Sequence, residues 1–379
     1  MADKQGGNKR KHMLIGLGSF FALVGAGYAF YWLGYGQYFQ STEDAYVTGN
    51  LIQLMPQVTG NVVSVGADET DRVKAGQTLV ALDATDAKIA LEKSETDLAQ
   101  TVRKVKQLYE NADALKSDVN ARTAELEKAL SDLARRKSLI SAHAVSHEEL
   151  QHAEDGASQA KAALEGAKHR YEAALASVRN TSLGNHPEVL SAETRLREAW
   201  LALHRTRIAS PAGGYVAKRS VQVGQRVTPA STLMVIVPLD QIWVDANFKE
   251  DQLGRIRIGQ PVSMTSDIYG RKVVFHGKVA GIGAGTGSVF SLLPPQNATG
   301  NWIKVIQRLP VRIALDPKEI AGNPLRIGLS MVVTVDTHDE SGQVLETANR
   351  AGPAYSTGIF ENSPGEADGI ILNILKANE

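Results

Sequence analysis

The chain contains no cysteine. That absence excludes a disulfide framework, a thiol nucleophile, a Cys-ligated zinc site and lipidation on an N-terminal cysteine. Aromatic residues are sparse. Neither charge sign dominates: Lys+Arg and Asp+Glu both number 41, so the formal net charge is zero. A neutral chain has no electrostatic case for nucleic acid. No Ser/His/Asp set sits in a recognisable elbow, and no carboxylate pair stands apart. The chain is therefore not expected to be an enzyme, and neither catalytic residue, metal nor cofactor is assigned. Glycine and proline are missing from Thr85 to Ala144, so nothing there interrupts a helix.

One long apolar run is present. Lys4, Lys9, Arg10 and Lys11 precede an uncharged stretch from Met13 to Tyr35. It has roughly 23 residues, and about 20 span a bilayer. A secretory signal peptide has a shorter apolar region and a small-residue cleavage site, and the following GQYFQSTEDAYV offers none. The expectation is a basic cytoplasmic tail at 1–12 and a transmembrane signal anchor at 13–35. By the positive-inside rule the remainder lies outside the cytoplasm.

Residues 44–83 read as short half-buried strands, with Val62, Val65, Val73, Leu79 and Leu82 set between Gly and Asp turn signals. From Thr85 the period changes to seven. Leu91, Leu98, Val105, Ala112, Val119, Leu126, Leu133 and Ile140 fall at strict heptad spacing. A second register follows, with Leu150, Ala157, Leu164, Tyr171 and Val178 on one seam and Ala153, Ala160, Ala167 and Ala174 on the other. Sustained heptads with small seam residues predict a long antiparallel coiled-coil hairpin over 84–205, each arm roughly 85 Å if continuous. Its tip is placed at 141–147, because Ser146 and Glu149 form a capping box. Pro187 predicts a break near SLGNHPEV and a fresh helix start.

Residues 56–82 and 210–236 repeat at a constant offset of 154. Gly60 matches Gly214, Val62 matches Val216, Arg72-Val73 matches Arg226-Val227, and Thr78-Leu79 matches Thr232-Leu233. One half is too small to close a core. Two halves, 44–83 and 206–239, make one small β-sandwich, and the hairpin is inserted between them. Both hairpin ends then leave the same domain, which forces the arms to be antiparallel. Residues 240–338 contain regular short strands with Gly and Pro punctuation, the pattern of a β-barrel. The tail 339–379 is rich in small residues, and GIILNILKAN near its end suits a short amphipathic helix.

Paired half-motifs around a helical hairpin resemble the lipoyl-like domain of periplasmic adaptors, the HlyD or membrane fusion protein family. The drug-efflux, EmrA-type branch is similar in particular stretches: TEDAYVTGN (42–50), IWVDANFKEDQL (242–253), RIGQPV (257–262), SDIYG (266–270) and the long block from Gly285 to Ile313. The fold class so implied is α+β: an N-terminal transmembrane helix, a split lipoyl-like β-sandwich interrupted by the coiled-coil hairpin, then a β-barrel. Lys88 reads as a solvated helix residue rather than a modified carrier lysine.

The resemblance implies an adaptor in the bacterial inner membrane, with the bulk of the chain periplasmic. Its implied partners are an EmrB-like major-facilitator transporter and a TolC-like outer-membrane channel. It also implies a homo-oligomer, a trimer or hexamer, because one thin hairpin cannot enclose a conduit. Hydrophobic drugs are candidate ligands. Adaptors that dock on such channels carry a tip pattern of Arg, Leu and Ser, met here by Arg135, Leu139 and Ser146. Rival readings are an adaptor for type I protein secretion, a biotin- or lipoyl-carrier domain, and a purely structural envelope coiled coil. His143 and His147 have metal-compatible spacing but no further ligand nearby. GIGAGTG (281–287) fails the dinucleotide-loop spacing and reads as a turn. Asn297-Ala298-Thr299 is a glycosylation sequon with meaning only in a eukaryotic secretory route.

Overall fold

The structure is a computed structural model, and it describes residues 6–140, 144–287, 289–290, 306–346, 351–360 and 365–378. It begins with α1 (Gly6–Gly34), whose large apolar side chains from Met13 to Leu33 are all exposed. A helix apolar on every side and buried against nothing suits lipid. Its span of 28 residues, Lys11–Tyr38, is long enough to cross a membrane.

Six strands close a barrel: β1 (Phe39–Gly49), β10 (Ile242–Lys249), β11 (Pro261–Ser266), β12 (Gly270–Ile282), β13 (Arg308–Leu315) and β14 (Ser330–Asp336). Their order around the barrel is β1-β10-β13-β12-β11-β14. Inward residues alternate with outward ones, and Phe248, Met264, Phe275 and Ile313 fill the interior. A short helix, α5 (Pro317–Gly322), follows β13, capped by the Asp316 carboxylate, which accepts from the Lys318 amide at 2.9 Å.

One boundary differs from the sequence reading. Residues 44–49 were expected in the first sandwich half, but β1 belongs to the barrel. It pairs with β10 on one side and β14 on the other, burying Thr42, Ala45 and Val47 while Glu43 and Tyr46 face out. Without β1 those neighbours would be open sheet edges, so closure favours its recruitment.

The sandwich has two four-stranded sheets. Before the hairpin come β2 (Ile52–Leu54), β3 (Gly60–Val65), β4 (Arg72–Val73) and β5 (Thr78–Leu82). After it come β6 (Arg207–Ala209), β7 (Gly214–Arg219), β8 (Arg226–Val227) and β9 (Met234–Val237). The sheets run β2-β9-β7-β4 and β6-β5-β3-β8, so each takes two strands from each half. Neither half can fold alone in this arrangement. The shared core includes Leu54, Val62, Leu79, Val216, Leu233 and Ile236.

Between the halves stand α2 (Thr85–Leu139), α3 (His147–Val178) and α4 (Pro187–His204), with a 3-10 turn at Leu183–Asn185. The break falls where Pro187 requires it, at the first residue of α4. There the Tyr109 and Thr181 hydroxyls meet at 2.6 Å, and a ring nitrogen of the buried His186 lies 3.1 Å from the Ser177 carbonyl. The first contact ties the broken arm to the continuous one, and the second braces the break within the return arm. Of the α2 heptad positions, Leu98, Val105 and Ala112 are buried; Val119, Leu126 and Leu133 are only half-buried. Two helices alone cannot enclose a seam, so burial fades toward the tip. Near the base a third helix, α6 (Gly365–Asn378), completes the packing and also buries Val102.

Candidate functional site

At about 1.5 Å per residue, the 55 residues of α2 carry the tip about 80 Å from the sandwich. Its geometry follows from how each helix ends. α3 starts with a complete capping box. The Ser146 hydroxyl accepts from the Glu149 amide at 3.1 Å, and the Glu149 carboxylate accepts from the Ser146 amide at 2.9 Å. Together they satisfy two amides that a helix start leaves unpaired. These bonds hold the Glu149 carboxyl below its usual range, the Ser146 amide first and the Ser146 hydroxyl second.

The three sequence-predicted residues sit around this turn and differ in what holds them. Arg135 lies one turn before the end of α2. Its side chain is 71% exposed and, among the described residues, pairs with Asp132 at 3.3 Å. So exposed a pair contributes little and exchanges partners readily. Leu139, the last residue of α2, is 45% exposed. Ser146 is exposed, but its hydroxyl is engaged in the cap. Arg135 and Leu139 are four residues apart and so share one face of α2. Residues 141–143 of the turn, with His143, lie outside the described residues. So do the sequon and most of the Gly285–Ile313 block.

The residue that closes the tip is Arg136, which sequence reasoning passed over. Its Nε donates to Asp132 at 2.9 Å and its Nη1 to the Glu149 carbonyl at 3.4 Å, across the hairpin. Arg136 is also the main cause that lowers the Asp132 carboxyl below its usual range. It stands three residues after Leu133 of the α2 heptad series, on the same seam, and that inward placement was the available signal. Lys137 adds a second crossing to Glu154 at 3.6 Å. Arg135 points outward and Arg136 inward, so of the two adjacent arginines it is Arg136 that bonds across the hairpin. Among the described residues there is no group of three or more His, Asp or Glu placed to hold a metal ion.

At the other extreme, the anchor is fixed to the barrel rather than hinged freely. The Arg255 guanidinium donates to the Gln37 carbonyl at 3.3 Å and lies over the Tyr38 ring. The Tyr38 ring stacks on His338 at 4.3 Å, and the Thr337 amide donates to the Tyr38 carbonyl at 2.8 Å.

Comparison with known proteins adds four findings. Residues 85–206 match the family model for the EMRA alpha-helical hairpin domain. The chain is 50% identical to the multidrug export protein EmrA of Escherichia coli (strain K12), over 92% of this chain and 89% of that one. It is 47% identical to the fatty acid resistance protein FarA of Neisseria gonorrhoeae, over 91% and 88% of the two chains. The solved structure of the periplasmic adaptor protein EmrA aligns with 79% of this chain and 99% of its own, at 20% identity and a TM-score of 0.39.

Proposed function

The chain belongs to the EmrA family of multidrug export membrane fusion proteins, and from that premise we propose that it links an inner-membrane EmrB-like major-facilitator transporter to a TolC-like outer-membrane channel. One observation carries the reading. A helical hairpin about 80 Å long is rooted at both ends in one sandwich, and that sandwich is joined through the barrel to a membrane-spanning helix. In this reading the chain sits in the inner membrane with its N-terminus cytoplasmic and its bulk periplasmic, which the apolar N-terminal helix supports. The hairpin then reaches across the periplasm.

At the far end, Arg135, Leu139 and Ser146 form the channel-contact set. Arg135 is the exchangeable cation, suited to a carbonyl or carboxylate at a partner helix end. Leu139 is the apolar knob. Ser146 acts by setting where α3 begins. Family members are non-enzymatic adaptors, and the proposed energy source is the transporter. Several copies, three or six, enclose the conduit that a single hairpin cannot. The relatives named for multidrug export and fatty acid resistance suggest hydrophobic and amphiphilic small molecules as cargo.

The test is efflux in cells that depend on this chain. A variant lacking 130–150 should be expressed and membrane-bound yet leave cells drug-sensitive. Full resistance with the tip deleted would overturn the adaptor reading.

A further inference from the structure

The last described helix, α6, lies on the base of the hairpin. Ala367, Ile371 and Leu375 recur every four residues and form one buried stripe, while Leu372 and Lys376 face solvent. Ile371 and Leu375 pack in the same cluster as Leu98, Val102 and Val105 of α2 and Val189, Ala192 and Leu196 of α4. All six of those partners are at most 1% exposed. The groove between α2 and α4 is therefore apolar where α6 covers it.

Polar contacts fix the register at both ends of the helix. Arg197 Nε of α4 donates to Asp368 at 2.9 Å, and the same guanidinium lies 3.3 Å from the nearly buried Glu193 carboxylate. The Glu366 carboxylate lies 3.5 Å from His204. At the other end, Arg103 Nε of α2 donates to Asn378 Oδ1 at 2.7 Å. Glu366 and Asp368 sit in the first turn of α6, where negative charge suits the helix dipole.

The chain just before this helix touches the sandwich. The Thr357 hydroxyl donates to the Pro211 carbonyl at 2.8 Å. Ile359 and Phe360 line a cavity of about 170 Å³ with Leu54, Met55 and Ile208 of the sandwich and His204 and Arg205 of the hairpin exit. The tail thus contacts both bodies that meet at the hairpin root. The chain itself crosses between hairpin and sandwich twice, at Asp83–Thr85 and at Arg205–Arg207. A rotation of about 6° at such a root moves the end of a lever about 80 Å long by roughly 8 Å.

We infer that the α2/α4 groove is a helix-binding site whose ligand is α6, and that α6 with residues 357–360 clamps the hairpin at a fixed angle on the sandwich. The clamp gives the C-terminal tail a role: it sets where the tip points. Docking rests on Ile371 and Leu375, with Arg103, Arg197 and Asp368 setting register.

The cysteine-free chain allows spin labels to be placed at will. One pair, Lys93→Cys with Leu372→Cys, reports α6 docking. A second, Asn120→Cys with Val223→Cys, reports the hairpin angle relative to the sandwich. Both pairs should give single narrow distance distributions in the otherwise unmodified chain. In Ile371→Asp/Leu375→Asp the first distance should be lost and the second distribution should widen at least twofold. Arg103→Ala/Asp368→Ala provides a milder variant should the double aspartate disturb folding by circular dichroism; it should show partial loss and partial widening. Loss of the first distance with an unchanged second distribution would overturn the clamp. A first distance that is absent in the unmodified chain, or unaltered in both variants, would overturn the groove assignment.

Discussion

Thr70 and Gly224 stand 154 residues apart and occupy the same place in the two halves of the sandwich. Both backbones are left-handed, with φ of 75° and 83°. The Thr70 amide donates to the Val216 carbonyl at 2.8 Å, and the Gly224 amide donates to the Val62 carbonyl at 2.8 Å. Val62 and Val216 are themselves 154 apart, and their own amides donate to Gln225 and Asp71 at 2.9 Å, again 154 apart. The repeat in sequence is a reciprocal exchange of hydrogen bonds in space.

That exchange makes Thr70 the strained copy. A β-branched residue in the left-handed region costs about 1–2 kcal/mol, while the greater freedom of glycine in the unfolded chain costs up to about 1 kcal/mol. Thr70→Gly should therefore raise the stability of the sandwich by up to about 1 kcal/mol. Gly224→Thr should lower it by about the same. Urea unfolding midpoints of the two variants check this; a destabilised Thr70→Gly would show that the threonine side chain contributes more than its backbone costs.

The two halves are not equally tolerant at their matched glycines. A Cβ on Gly214 would lie 2.5 Å from the Val237 carbonyl oxygen, whereas on Gly60 it would lie 3.3 Å from the Leu82 side chain. Backbone cannot yield as a side chain can. Gly214→Ala should cost about 1–3 kcal/mol and Gly60→Ala distinctly less. Thermal unfolding of the pair would expose an error if the order reversed.

Adjacent arginines at the tip should separate by phenotype. Arg135→Asp should leave thermal stability unchanged and abolish cross-linking to the outer-membrane channel. Arg136→Ala removes the bond across the hairpin, so it should loosen the tip: amide exchange over 147–150 should quicken while the hairpin base stays protected. Ser146→Ala removes the cap and should quicken the same amides, by about fivefold for a loss of about 1 kcal/mol. Retained cross-linking by Arg135→Asp would remove that residue from the contact set.

The tip cap should also weaken in acid. Glu149 has a lowered pKa in the folded chain relative to an ordinary value of 4.5. Its contribution is complete above about 4.5 and is lost as pH falls through the lower folded value. Exchange at 147–150 should thus be insensitive to this group between pH 7 and 5, beyond the intrinsic dependence, and should lose protection below about 4.5. Glu149→Gln should abolish that acid step. An unaltered step in Glu149→Gln would assign it to another carboxylate, such as Asp132.

Much of this molecule is legible in local sequence. The capping box at Ser146 and Glu149, the helix start at Pro187 and the heptads through Leu98 and Val105 are short-range patterns, and each appears where expected. The repeat was visible because its offset is constant. What escaped is non-local. β1 joins the barrel by pairing Phe39 with Asp336 and Ala45 with Ala246, and no neighbouring residue announces partners so distant. The docking of α6 is of the same kind: an apolar stripe predicts a helix but not the groove that receives it. Arg136 was hidden by Arg135, because a contact motif draws attention to the exposed residue and not to the one that closes the turn.

The adaptor reading is tested most directly by photo-cross-linking in cells that are actively exporting drug. A photoreactive residue at position 135 or 139 should capture the outer-membrane channel, and one at Glu92, near the hairpin base, should not. Capture from Glu92 and the tip alike, or from neither while export proceeds, would contradict a hairpin that reaches across the periplasm to dock by its tip.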